Sequence, residues 1–254
     1  MDIVAPSLIP NLHECAILLD VDGTILDMAS TPQEVWVPPS LQHDMTRLSE
    51  LTGGAVALVS GRSLNDLDLL FSPLQLPAVG GHGAEFRPFC GGELDLSRTV
   101  PLDVKLKRKF AAVAEIGPGI VIEDKGYSIA LHYRLAPALE AAVKEAVARI
   151  CAENPSAPIE VLRGKSVLEI KQVGFNKGTG VRELMRYPPF TGRHPIFIGD
   201  DVTDESVFAI IAEFDGLAFS VGRMVASVNG HFDKPAAVRG WLTRIADEGE
   251  SPSP

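Results

Sequence analysis

Two aspartates separated by a single residue, Asp20 and Asp22, close the apolar run Ala16 to Leu19 and are followed by Gly23 and Thr24. In an extended chain alternate side chains share a face, so Asp20 and Asp22 are expected to project together while Val21 packs away and Gly23 permits a sharp turn. Carboxylates this close repel one another unless a cation binds or one takes a proton, and either outcome serves phosphoryl transfer. An isolated Asp-x-Asp is most often a turn at a strand end. The apolar strand before this one and the Gly-Thr after it weigh against that ordinary reading.

Three further clusters could act on the same chemistry. Ser60-Gly61-Arg62 follows Val56 to Val59, and a hydroxyl with exposed backbone N–H groups at a strand end can hold phosphoryl oxygens, although Ser-Gly alone is usually a turn. Lys177 opens a helical pattern through Val181, Leu184 and Met185, where its ammonium would neutralise a nucleophile and a bound phosphate; a single lysine is otherwise a solvated surface charge. From Phe197 to Glu205 a strand delivers Asp200, Asp201 and Asp204, a concentration of acid that calls for a cation. Mg2+ prefers oxygen donors, which makes Asp200 the natural ligand, with Asp204 one turn on to orient it or its waters. Glu205 and part of Asp201 are explained as an acidic helix cap. Gly164-Lys165-Ser166 imitates the end of a P-loop, but position 159 is Ile where that motif needs glycine.

The elements that must position these residues alternate between strand-like apolar runs and amphipathic stretches, the pattern of an α/β protein with a parallel sheet. Ala16 to Leu19, Val56 to Val59 and Pro195 to Ile198 each read as a buried strand ending in a polar cluster. Ligands of open parallel sheets sit beyond the carboxyl ends of the strands, so these clusters should meet on one rim. Between Val100 and Gln172 the texture changes to α+β. A helix is expected through Leu106, Phe110, Val113 and Ile116, paired strands at Ile120 to Ile122 and Tyr127 to Tyr133, a helix through Leu139, Val143, Val147 and Ile150, and a strand at Val167 to Ile170. The expected division is a core of 1–100 and 174–254 with an insert of 101–173. The tail from Glu248 to Pro254 is expected to fray.

Composition bounds the partners. The 254 residues carry 23 Lys plus Arg against 33 Asp plus Glu, a formal charge of −10, which lacks the basic footprint of a nucleic-acid binder. Three widely spaced cysteines, Cys15, Cys90 and Cys151, suggest neither a disulfide framework nor a zinc site. No apolar window is long enough to span a bilayer, and a cytoplasmic monomer acting on a small molecule is expected.

Taken in order, the four clusters resemble the four motifs of the haloacid dehalogenase (HAD) superfamily, and the insert between the second and third resembles its type 2 cap, which roofs the active site and selects the substrate. Within that superfamily the chain is similar to the trehalose-6-phosphate phosphatases. The likeness rests on Gly81 to Glu85, Glu123-Asp124-Lys125, His132-Tyr133-Arg134, Gly164-Lys165 with Glu169-Ile170-Lys171, and Gly199 to Glu205. Gln172, where that family tends to have proline, is a departure at the expected cap hinge.

The resemblance implies an Asp20 nucleophile forming an aspartyl phosphate and an Asp22 acid/base. It implies Mg2+ held by Asp20, the Asp22 carbonyl and Asp200, with Asp204 and Asp201 behind the ligands. Ser60, Gly61, Arg62 and Lys177 would hold the phosphoryl group; Glu123, Lys125, Arg134, Lys165 and Glu169, with His82 from the core, would read the sugar. Phosphatases acting on sucrose phosphate or on a phosphoglycerate glycoside would share the same catalytic clusters. A non-catalytic phosphate sensor is the alternative of another class, although it would need neither the large insert nor a second carboxylate.

Overall fold

The computed structural model describes residues 10–28, 35–95, 99–164 and 166–249. Lys165 and most of the expected frayed tail lie outside the described residues. In chain order the elements are β1 (Cys15–Leu19), α1 (Pro39–Leu51), β2 (Val56–Val59), α2 (Leu64–Phe71), β3 (Ala78–Gly80), β4 (Glu85–Arg87), α3 (Val104–Ala111), β5 (Val121–Asp124) and β6 (Ser128–His132). They continue with α4 (Glu140–Glu153), β7 (Ile159–Gly164), β8 (Val167–Gln172), α5 (Lys177–Leu184), β9 (His194–Gly199), α6 (Glu205–Phe208), β10 (Leu217–Val221), β11 (Gly230–Phe232) and α7 (Pro235–Glu248).

The chain divides into two compact units, Met1–Ser97 with Phe175–Pro254, and Arg98–Gly174. In the first, seven strands form one sheet in the order β11-β10-β9-β1-β2-β3-β4. All pairings are parallel except that of β3 with β4. Parallel strands covered on both faces read as unbroken apolar runs, and β1 shows why. Its Ile17 and Leu19 enter a core layer with Met45 and Leu48 of α1 and Trp241 and Leu242 of α7. Ala16 and Leu18 enter the opposite layer with Val181 and Leu184 of α5 and Val207 and Phe208 of α6.

The second unit has its own core. Its four strands are antiparallel in the order β5-β6-β8-β7. Ile122, Ile129, Leu131, Leu168 and Ile170 face Leu106 and Phe110 of α3 and Val143, Val147 and Ile150 of α4. The strand β7 had no counterpart in the sequence reading, because its residues are only partly buried and alternate weakly. The amide of Gln172 donates to the Pro101 carbonyl at 2.9 Å, so the residue that departs from the family pattern ties together the two ends of the insert. Among the described residues, no helix is long and apolar enough to cross a membrane.

Candidate active site

Position in the sheet brings the clusters together. β1 lies between β9 and β2, with Leu19 level with Ile198 and Leu58, so the residues that follow these strands share the carboxyl rim. The Asp20 N–H donates to the Ile198 carbonyl at 2.9 Å, and its carboxylate is buried. One carboxylate oxygen accepts from the Thr24 hydroxyl at 2.9 Å and the other from the Lys177 ammonium at 2.7 Å. Thr24 is also 3.2 Å from an oxygen of Asp200, and Lys177 donates to Asp204 at 2.7 Å. Ligand oxygens of Asp20, Asp200 and Asp204 all lie within 4.8 Å of one another. An all-oxygen donor set of this kind suits a hard divalent cation.

Lys177 is the first residue of α5, where the helix dipole disfavours a cation. The helix start is fixed independently: Asn176 accepts from the Thr179 N–H at 2.8 Å, and the Thr179 hydroxyl accepts from the Asn176 N–H at 3.0 Å. Burial would lower the Lys177 pKa, but Asp20 and Asp204 more than offset it and raise the ammonium above its ordinary range. Burial, then the charge on Asp20, pushes Asp200 up to about 8. Asp204 is raised to about 7 by burial and then Asp20, with Lys177 opposing. Both Asp204 oxygens are engaged, one by Lys177 and the other by the Asp201 N–H at 2.9 Å, which suits an orienting group better than a direct ligand.

These shifts set a pH dependence for the metal-free protein. The folded pKa values of Asp200 and Asp204 lie above their unfolded value of 3.8, so the folded state holds protons that the unfolded chain has released. Stability contributed by these groups is therefore complete below about pH 4 and is lost as pH rises toward 8, while Lys177 stays charged throughout. Urea unfolding in EDTA across this window should give a falling contribution. A contribution that rises with pH would show that the cluster is not strained by its own charge.

The turn after Asp20 is enforced sterically. Gly23 has φ +81°, and a Cβ there would fall 2.2 Å from an Asp200 oxygen, so the close approach of the two segments requires glycine. Asp22 has a partner that the sequence did not pair with it. Both oxygens of Asp22 accept from the Arg62 guanidinium at 2.6 Å, three residues past the end of β1 at Leu19. Arg62 therefore grips a carboxylate here. Ser60 is buried and its Oγ accepts from the Arg62 N–H at 3.1 Å. The Gly81 to Glu85 segment braces this loop: the Gly81 and His82 N–H groups donate to the Arg62 and Ser60 carbonyls at 2.8 and 3.0 Å, and Glu85 accepts from the Leu64 N–H at 2.5 Å. His82 takes a left-handed backbone (φ 54°), and its ring lies so close to Gly61 that a Cβ there would come within 2.4 Å of Nε2.

Asp201 is exposed and accepts from the Val202 N–H at 2.7 Å, the capping role that competed with a metal role in the sequence reading. In the second unit, strand register places Glu123, Ala130 and Glu169 in one row. They lie on the sheet face opposite the apolar core. Glu169 accepts from the buried Ser128 hydroxyl at 2.7 Å, with Lys125 3.6 Å away. Glu123 pairs with His132 at 3.0 Å, which lowers the Glu123 pKa against the opposing effect of burial, with a further lowering from Lys125. Arg134 is exposed in the turn after β6. Sequence reasoning counted Thr24 in the Asp20 motif without giving it a role, and it passed over Arg223, which stands on the same rim just past β10. Its spacing gave no signal, because strand order alone brings it to its partners.

Solved structures share this architecture. The trehalose-6-phosphate phosphatase C-terminal domain of C. albicans superposes with a TM-score of 0.81 at 21% identity, covering 96% of this chain and 98% of that one. A HAD-superfamily phosphatase from Bacteroides thetaiotaomicron gives 0.62 at 15% identity, covering 94% and 98%. The fold is that of the HAD phosphatases. Within that class the chain belongs to the trehalose-phosphatase family, whose model matches residues 18–238. It is 40% identical over 242 residues to a probable trehalose-phosphate phosphatase of Sinorhizobium fredii (strain NBRC 101917 / NGR234), covering 93% of this chain and 89% of that protein. It is 35% identical over 228 residues to the trehalose-6-phosphate phosphatase of Escherichia coli (strain K12), covering 89% and 84%. Family membership makes the chain a phosphatase and sets aside the non-catalytic sensor.

Proposed function

We propose that the chain hydrolyses trehalose 6-phosphate to trehalose and phosphate through a phosphorylated Asp20, with Mg2+ held by Asp20, Asp200 and the backbone carbonyl of Asp22. The observation that carries this reading is the buried Asp20 carboxylate, held by the Thr24 hydroxyl and the Lys177 ammonium beside Asp200. Those contacts support a nucleophilic role, since they orient a buried carboxylate instead of leaving it a solvated surface acid.

Asp20 attacks phosphorus as the bond to the sugar oxygen breaks, and Asp22 gives that departing oxygen a proton. The Asp22 carboxylate then takes a proton from water, which attacks the phosphoryl group, releases phosphate and regenerates Asp20. For the first of these steps Arg62 must let go of at least one Asp22 oxygen, since it now donates to both. Its freed N–H groups are then donors for a phosphoryl oxygen, together with the Ser60 hydroxyl and Lys177. Bound Mg2+ supplies positive charge against the phosphoryl oxygens and Asp20. Positioning and charge stabilisation of this kind supply most of the acceleration in phosphoryl transfer.

Glu123, Lys125, Arg134, Lys165 and Glu169, with His82, are the residues we assign to the disaccharide. A hydroxyl-rich ligand suits such a set, because each buried polar group left unmatched by a wrong ligand costs roughly 1–3 kcal/mol. We place the enzyme in the cytoplasm as a monomer without membrane or nucleic-acid partners; the formal charge of −10 supports the last point. Phosphate release from trehalose 6-phosphate, sucrose 6-phosphate, glucosyl phosphoglycerate and glucose 6-phosphate tests the reading. Trehalose 6-phosphate should lead in kcat/KM by about 100-fold or more, with EDTA stopping turnover. Preference for another ester would overturn the sugar and leave the class; full activity in EDTA would overturn the cation.

A further inference from the structure

The loop that carries Asp200 is held by one side chain from the neighbouring strand. β10 lies beside β9, with Ser220 level with Gly199, and the chain turns at Gly222 (φ +68°) just past β10. The buried Ser220 hydroxyl donates to the Arg223 carbonyl at 2.7 Å and fixes that turn. Arg223 then reaches back across the rim. Its Nε donates to the Asp200 carbonyl at 2.7 Å, one terminal nitrogen to the Asp201 carbonyl at 2.8 Å and the other to Glu205 at 2.8 Å.

These contacts lock a single peptide plane at both ends. The carbonyl of the Asp200–Asp201 peptide accepts from Arg223, and its N–H donates to Asp204, the carboxylate that also receives Lys177. A guanidinium is suited to this because its fork satisfies separate acceptors with little loss of side-chain freedom per bond, whereas an ammonium acts as a point charge. We infer that Arg223 is a positioning residue for the metal site, fixing the backbone from which Asp200 projects and so setting the affinity for Mg2+. The inference rests on the reading of Asp200 as a cation ligand. Arg223 touches neither substrate nor metal in this assignment.

The sign of the effect separates positioning from charge. Deleting a cation beside a dication site would tighten binding on Coulomb grounds alone, so weaker binding reports lost orientation. The test is calorimetric titration of the EDTA-stripped full chain with MgCl2, for wild type, Arg223→Ala, Arg223→Lys and Asp200→Asn. Groups that orient metal ligands typically contribute 10- to 100-fold in affinity. Arg223→Ala should raise the Mg2+ Kd by about that factor, and Arg223→Lys, which keeps the charge but loses the fork, by about 10-fold. At saturating Mg2+ both should recover kcat within a few-fold, with KM for trehalose 6-phosphate unchanged.

Should Arg223→Ala fail to fold, Arg223→Lys decides alone. Mg2+ affinity within twofold of wild type in the folded variants, whatever their melting temperature, overturns the inference while the metal reading stands. Wild type that binds no Mg2+, or Asp200→Asn that binds as well as wild type, removes the metal reading and the inference with it.

Discussion

Asp20→Asn is expected to abolish phosphate release, lowering kcat on the order of 10^4-fold or more, while trehalose 6-phosphate still binds. The substitution is nearly isosteric, and the amide oxygen can still accept from Lys177, which stands 2.7 Å from one Asp20 oxygen. Thr24, 2.9 Å from the other, can rotate its hydroxyl to accept from the new NH2. The buried neighbourhood therefore keeps its partners and the variant should fold. What disappears is the negative charge and the lone pair available for attack. One fewer negative charge also reduces repulsion of a dianionic ester, so substrate affinity should be retained or improved. Direct binding titration together with single-turnover phosphate release separates the two effects. Release within tenfold of wild type would remove Asp20 from its role.

The legible part of this molecule is the part governed by burial on two faces. Ala16 to Leu19 alternates between two apolar layers, so the strand had to read as an uninterrupted run, and its end had to be where polar residues begin. The same logic located β2 and β9 and hence the meeting of Asp20, Ser60 and Asp200 on one rim. What strand periodicity could not give is the partner of Asp22, which lies past the end of β1 at Leu19. Arg62, forty residues away in sequence, donates to both of its oxygens.

Side-chain contacts to distant backbone leave still less trace. Nothing in the spacing of Arg223 announces that it binds the Asp200 and Asp201 carbonyls; only the placement of β10 beside β9 brings it there. In the second unit, apolar periodicity gave the helices and three strands. It could not give the register that sets Ser128 against Glu169, and it missed β7, whose side chains are only partly covered.

Lys177→Met is expected to produce the largest loss of stability, because it removes a buried cation bonded to both Asp20 and Asp204 while preserving an apolar stem of similar length. Breaking a buried ion pair by removing one partner typically costs about 3–5 kcal/mol, since the remaining charge stays desolvated. The penalty should depend on pH in a defined sense. Asp204, already raised to about 7, loses the lysine that opposed that rise and climbs further. Folded wild type holds the Asp204 proton up to about pH 7 as well, so this part of the deficit is absent near pH 4 and opens only as pH rises above 7, where the variant alone keeps the proton. Mg2+ should return part of the deficit by supplying positive charge to the same carboxylates, but turnover should remain depressed by roughly 10^2- to 10^3-fold, because the donor to the phosphoryl group is missing. Urea unfolding of both proteins at pH 4.5 and pH 8, with EDTA and with Mg2+, measures each component. A deficit that is equal at the two pH values would mean that the lysine stabilises the site by packing rather than by charge.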